Sequence, residues 1–161
     1  TPSMCVHVKE HLGKGTLFEI TTKQTTQTMT STATYQDIYT SLGYLFYSVA
    51  ISDGAVRKVE VDRLKELIAE KWLPLEGSRD IFGTDAGHYI SISFDFANDS
   101  ELSPDQAWER FVDDYKEHGT RYDDTMKRLT FETAAAIASV FSGNNKSELS
   151  RLFQLERLLK K

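Results

Sequence analysis

The sequence predicts an all-α protein: a compact single-domain bundle of about six helices, preceded by an N-terminal tail. Three observations carry that expectation. Beyond residue 33, apolar side chains recur three and four positions apart, the spacing of one helix face. Starts such as Thr34, Ser103-Pro104 and Asn145 alternate with stops such as Gly54, Gly119 and Gly143. The connections are short except over 73–85, as between antiparallel neighbours.

The first helix begins at Thr34, with Asp37 three residues on as an approximate capping box. Ile38, Leu42, Leu45, Phe46 and Val49 form its stripe, and Tyr35, Tyr39, Tyr44 and Tyr47 widen it, which makes this helix central. Asp53-Gly54 ends it, glycine suiting a left-handed cap. A second helix spans about 59–72 on Val61, Leu64, Leu67, Ile68 and Trp72, and Pro74 is expected to close it. Residues 88–96 partly alternate as a strand would, yet Ala86, Ile90, Phe94 and Ala97 share one helical face. Helix is the expectation, because a lone strand has no partner here. Ser103, Pro104 and Gln106 open a further helix carrying Trp108, Phe111, Val112 and Tyr115. A long helix over about 122–142 follows, with Met126, Leu129, Thr133, Ile137, Val140 and Phe141 as its stripe. The last starts at Asn145 with Glu148 as box partner. Its wide face of Leu149, Leu152, Phe153, Leu155, Leu158 and Leu159 is expected to dock into the core.

The tail has a different composition. Residues 16–34 hold nine threonines and show no helical period. Thr and Gln bury little apolar surface, so 1–32 is expected to be a disordered or non-native tail ahead of a helical domain over 33–161. Met29 makes a plausible native start, with 1–28 as vector-derived or upstream sequence. The alternative is a genuine short tail whose Val6, Val8 and Leu17–Ile20 form a weak hairpin or edge strand.

Composition narrows function by exclusion. The 161 residues are 40% hydrophobic and 27% charged, with net charge −5. An acidic chain gains little from counterion release at phosphates, so no nucleic-acid partner is expected. The apolar runs are too short for a transmembrane helix, so no membrane insertion is expected. The single Cys5 excludes an intramolecular disulfide and zinc spacing is missing, which suggests a reducing, cytoplasmic setting. There is no nucleophile elbow, phosphate loop or dinucleotide fingerprint. His88 and His118 read as structural. The doublets Asp113-Asp114 and Asp123-Asp124 point about 100° apart on a helix, so they do not converge. No catalytic residues are expected and the chain is not expected to be an enzyme.

The informative segment is Ser52–Glu60. Asp53-Gly54, an apolar residue two further on, and Glu60 repeat the second half of a calcium loop. Val49 and Ile51 stand where the first half would place acids, which excludes a helix–calcium-loop–helix hand. Asp53 and Glu60 are the candidate metal ligands. Calcium takes six to eight oxygens, so others would come from elsewhere, with Asp95, Asp99, Asp123 and Asp124 as candidates. The plainer reading has Asp53 capping the turn and Glu60 favouring the next helix's N-terminus.

The run Tyr44–Gly54 followed by Val56, Glu60 and Leu64 resembles the tellurite-resistance TerB-like family, as does Ala134–Gly143 followed by Ser147-Glu148-Leu149. The resemblance covers roughly 34–159. It implies an all-helical domain built as a pseudo-repeat, an association with tellurite or oxidative stress, and acidic residues that bind divalent metal. It carries over to Asp53 and Glu60 only. Ser142-Gly143 with Glu148 echoes Asp53-Gly54 with Glu60, but Ser142 replaces the acid. The resulting expectation is a small TerB-like accessory protein binding a divalent cation (calcium or magnesium). The alternative is a metal-free protein-protein interaction module or co-chaperone-type adaptor. Its partner, a protein or a second copy, would lie in an apolar groove between the last helix and the Trp108–Tyr115 helix.

Overall fold

In the computed structural model residues 34–75, 87–140 and 146–161 are described, and among them the regular structure is entirely helical. Helix α1 covers 34–50 and is continued by a 3-10 turn, Ile51–Asp53. The others are α2 (Lys58–Leu67), α3 (His88–Asp99), α4 (Pro104–His118), α5 (Asp124–Ser139) and α6 (Lys146–Leu159). Thr34, the expected start of the first helix, is helical, whereas the expectations for the tail, for Phe141 and for the Asn145 and Gly143 signals lie outside the described residues.

Helix α1 is enclosed on nearly every side. Ile38, Tyr39, Leu42 and 45–50 are all buried. Full burial of such aliphatic and aromatic side chains contributes about 2 kcal/mol each before ordering costs. Its buried Ser48 donates to the Leu45 carbonyl (2.6 Å), and the one hydroxyl proton of buried Ser41 is shared between the Ile38 carbonyl (2.8 Å) and Asp114 on α4 (3.1 Å). Tyr39 meets Trp72 edge-on at 5.9 Å, and Tyr47 meets Phe94 at 5.8 Å. Helix α3 crosses α1 at Gly43. A Cβ there would stand 1.8 Å from Ser93 Oγ and 2.4 Å from the Ile90 carbonyl, so only glycine permits this approach.

Two element boundaries differ from expectation. Helical structure does not stop before Pro74. A π turn, Ile68–Trp72, leads into a final turn, Leu73–Leu75. The Leu73 N–H reaches back five residues to the Ile68 carbonyl. That wider turn loosens the site where a proline ring would clash with the carbonyl four residues before it. It also leaves Trp72 fully buried, its Nε1 donating to Thr133 Oγ1 on α5 at 3.1 Å. Helix α5 opens where Asp123 accepts the Met126 N–H (2.8 Å), and of its expected stripe Met126, Thr133 and Ile137 are buried while the rest of the buried face differs. Thr130, Ala134 and Ala138 are buried, Leu129 is half-buried and Val140 is exposed.

The region 88–96 is helical, as expected, and the source of its alternation is visible. Ile90, Phe94 and Ala97 face inward while Ile92 and Phe96 face solvent. Helix α3 ends on Glu101, the one non-glycine residue with positive φ (53°) among those described. There the Leu102 N–H reaches the Ala97 carbonyl at 3.1 Å. Helix α4 begins as its sequence demands: Ser103 Oγ accepts the Gln106 N–H, and Gln106 returns a bond to the Ser103 N–H.

Candidate functional site

The α1–α2 corner is built by its own backbone. Gly54 takes φ 102° and its N–H closes on the Ile51 carbonyl (2.8 Å), turning the chain out of α1. Asp53 Oδ1 then accepts the Ala55 N–H (3.3 Å), and Oδ2 pairs with Arg57 Nη1 at 2.6 Å. Glu60 Oε2 accepts the Arg57 backbone N–H (2.7 Å), which is half of a capping box at the start of α2. A guanidinium has no acceptor, so Arg57 cannot return the other half. Both candidate ligands therefore already perform local structural work.

One atom of this corner is unsatisfied. Glu60 is fully buried, and its Oε1 has no hydrogen-bond partner. Burial raises the Glu60 carboxyl above the ordinary glutamate range. The Arg57 N–H bond opposes that shift, and the carboxylates of Glu148 and Asp53 add to it. Glu148, at the start of α6, is itself buried. The structure thus brings Asp53, Glu60, Glu148 and Arg57 into one neighbourhood. Asp123 serves instead as the α5 cap, and Asp95 and Asp99 lie exposed on α3. The sequence signals for Glu148 were its place as box partner of Asn145 and its echo of Glu60 in the second Gly-containing turn. Among the described residues, no group of three or more His, Cys, Asp or Glu side chains is placed to hold a metal ion.

A second polar cluster joins α1 to α4. Asp114 accepts from Ser41 Oγ through Oδ2 (3.1 Å), and its Oδ1 lies 2.9 Å from His118 Nδ1. The carboxylate stands between serine and histidine, whereas a catalytic triad needs the histidine between serine and acid. Ser41 is buried as well. Nearby Asp37 is raised by burial first and then by Asp114 and Glu117, with His118 opposing. The Tyr122 hydroxyl is buried without a hydrogen-bond partner, and its pKa is pushed up by that burial. This cluster fastens the C-terminal end of α4 to α1. The Asp114–His118 spacing was legible in the sequence, but the 73-residue reach to Ser41 was not.

The expected apolar groove between α4 and α6 is instead a polar cleft. Arg151 lies over the Trp108 ring (5.1 Å to its centroid) and pairs with Asp105 at 3.0 Å. Its planar head and stem cover the indole that would have lined the groove. What remains is a cleft of about 400 Å³ whose walls include Ser52, Asp105, Ser150, Arg151 and Gln154. The most exposed large apolar residues of the described segments lie elsewhere, in two pairs with i,i+4 spacing, while Val59 and Val140 are exposed singly. Ile92 (58% exposed) and Phe96 (52%) project from α3, and Leu149 (50%) and Phe153 (60%) from α6. The α6 stripe therefore docks only through Leu152, Leu155 and Leu159, with Leu158 partly buried.

No helix among the described residues is long and apolar enough to cross a membrane. No protein family, curated protein or solved structure gives a match to this chain.

Proposed function

We propose that this chain is a protein-protein interaction module that presents apolar side chains on the outer faces of α3 and α6. The observation that carries the reading is the pair of half-exposed apolar patches, Ile92/Phe96 and Leu149/Phe153, on helices whose other faces are docked. Large aromatic and aliphatic side chains held on rigid helices are the usual anchors of helix-mediated recognition. The test is photo-crosslinking in cells. A benzophenone amino acid at position 96 or 153 is expected to give discrete adducts, while one at exposed Asp62 or Glu132 gives none. Loss of any difference between these positions would end the reading.

A second reading has its own observation. The partnerless Oε1 of Glu60, beside Asp53 and Glu148, is an acceptor that a divalent cation would satisfy, as the TerB-like resemblance implies. Asp53 would first have to yield its bond to Arg57, so the residues fit this role only in part. Millimolar calcium or magnesium added to EDTA-treated protein should then raise the melting temperature. At a hundredfold excess over the dissociation constant, linkage gives about 2.7 kcal/mol. Coincident melting curves would remove the cation.

A further inference from the structure

The two apolar pairs carry opposite charge, and that difference points to their occupant. On α3, the outward Ile92 and Phe96 are accompanied by exposed Asp95 and Asp99, with no basic residue in the last turn. Among the described residues neither aspartate takes part in an ion pair. Carboxylates at a helix C-terminus are electrostatically unfavourable, because the helix already presents partial negative charge there. On α6, Leu149 and Phe153 are accompanied by exposed Lys146 and Arg157, and the Arg157 guanidinium lies 5.8 Å from the Phe153 ring centroid. Lys146 has no ion pair among the described residues.

We infer that the outer face of α3 docks onto the outer face of α6 in a second copy of this chain, with the two helices antiparallel. The inference rests on the interaction-module reading above and names its partner. Spacing supports the direction. Each apolar pair is four residues apart, about 6 Å along its helix. Asp99 lies three residues beyond Phe96 toward the C-terminus, and Lys146 lies three before Leu149 toward the N-terminus. Antiparallel pairing sets Phe96 against Leu149, Ile92 against Phe153 and Asp99 against Lys146. It also brings the negative end of α3 to the positive end of α6. The two faces differ, so the contact is head-to-tail and each copy keeps one face free for the next. A contact of two helix faces belongs with small, transient interfaces, and like other exposed charge contacts it weakens with salt.

Sedimentation velocity on the purified full chain tests this. The wild type should sediment faster as concentration rises, without a plateau at dimer unless a ring closes, and high salt should reverse the effect. One variant, Phe96→Ser with Asp99→Lys, disables the α3 face. Another, Leu149→Ser with Phe153→Ser, disables the α6 face. Every substituted position is exposed, so both variants should keep the wild-type helical spectrum. Each alone should remain monomeric, and an equimolar mixture should stop at a 1:1 dimer. Asp99→Lys and Lys146→Glu should each weaken association about tenfold and restore it when combined. A wild type monomeric at every concentration, or a single-face variant that still dimerises, overturns the inference. Cellular crosslinks to a different protein combined with a monomeric purified chain would overturn it while leaving the interaction-module reading standing.

Discussion

Helices α1 and α6 are both apolar by sequence, yet they occupy opposite situations. Helix α1 is walled in, and its buried polar groups include the neutral hydroxyls of Ser41 and Ser48, which bond to their own turn, and of Tyr47, which donates to the Leu102 carbonyl; Ser41 also reaches Asp114. Helix α6 buries one side only, and its inward polar groups are the charged Glu148 and Arg151. The enclosed helix buries only uncharged polar side chains, whose hydroxyls find acceptors in their own turn or on a neighbour, and it needs a glycine where a neighbour crosses closely. An edge helix can carry charge inward because solvent or an exposed counter-ion such as Asp105 is within reach.

The sharpest way to break that contrast is to add one methyl group at the centre. Gly43→Ala places a Cβ against both Ser93 Oγ and the Ile90 carbonyl, so α3 must move. Urea denaturation should show a loss of about 3 kcal/mol, the upper part of the overpacking range. Ser93→Gly should rescue it only in part, because the carbonyl remains. Leu149→Ala on α6 should change stability by less than about 0.5 kcal/mol in the same assay.

The buried Glu60 sharpens the comparison through pH. Burial, Glu148 and Asp53 raise its carboxyl in the folded state, so the native protein holds that proton more tightly than the unfolded chain does. Its ionisation therefore destabilises the fold. The loss begins as pH rises through the unfolded glutamate value and is complete above the folded one. Glu60→Gln keeps an oxygen for the Arg57 N–H and removes the charge. Thermal melts should place the variant level with the wild type in acid and roughly 1 kcal/mol more stable near neutrality, the scale of one unsatisfied buried acceptor. A wild type that gains on the variant as pH rises would contradict this account. An effect of similar size is expected at Glu101, held at φ 53°. Glu101→Gly should stabilise by about 1 kcal/mol by relieving a left-handed conformation that costs a side-chain-bearing residue, and calorimetry can measure it.

Much of the architecture was legible because helix periodicity and capping are local. Ser103, Gln106 and Gly54 act as their types require. Helix α3 was ambiguous for a physical reason: a helix with apolar residues on both faces mimics strand alternation over nine residues. Pro74 misled because nothing local announces a π turn. At the corner, Asp53 and Glu60 could be picked out by spacing, but the complete burial of Glu60 depends on helices distant in sequence, with α5 packed on α2 and α6 on the Ile51–Asp53 turn. The α4–α6 cleft was misjudged because an arginine lying over Trp108 is invisible in a list of apolar positions.

The two tryptophans stand in contrasting surroundings. Trp72 is sealed and hydrogen-bonded to Thr133, whereas Trp108 is half-buried beneath a guanidinium. Intrinsic fluorescence is thus a built-in two-channel gauge. The sealed indole emits toward the blue and resists acrylamide, registering collapse of the interior. The capped one answers to quencher and registers events at the terminal helix while the interior holds.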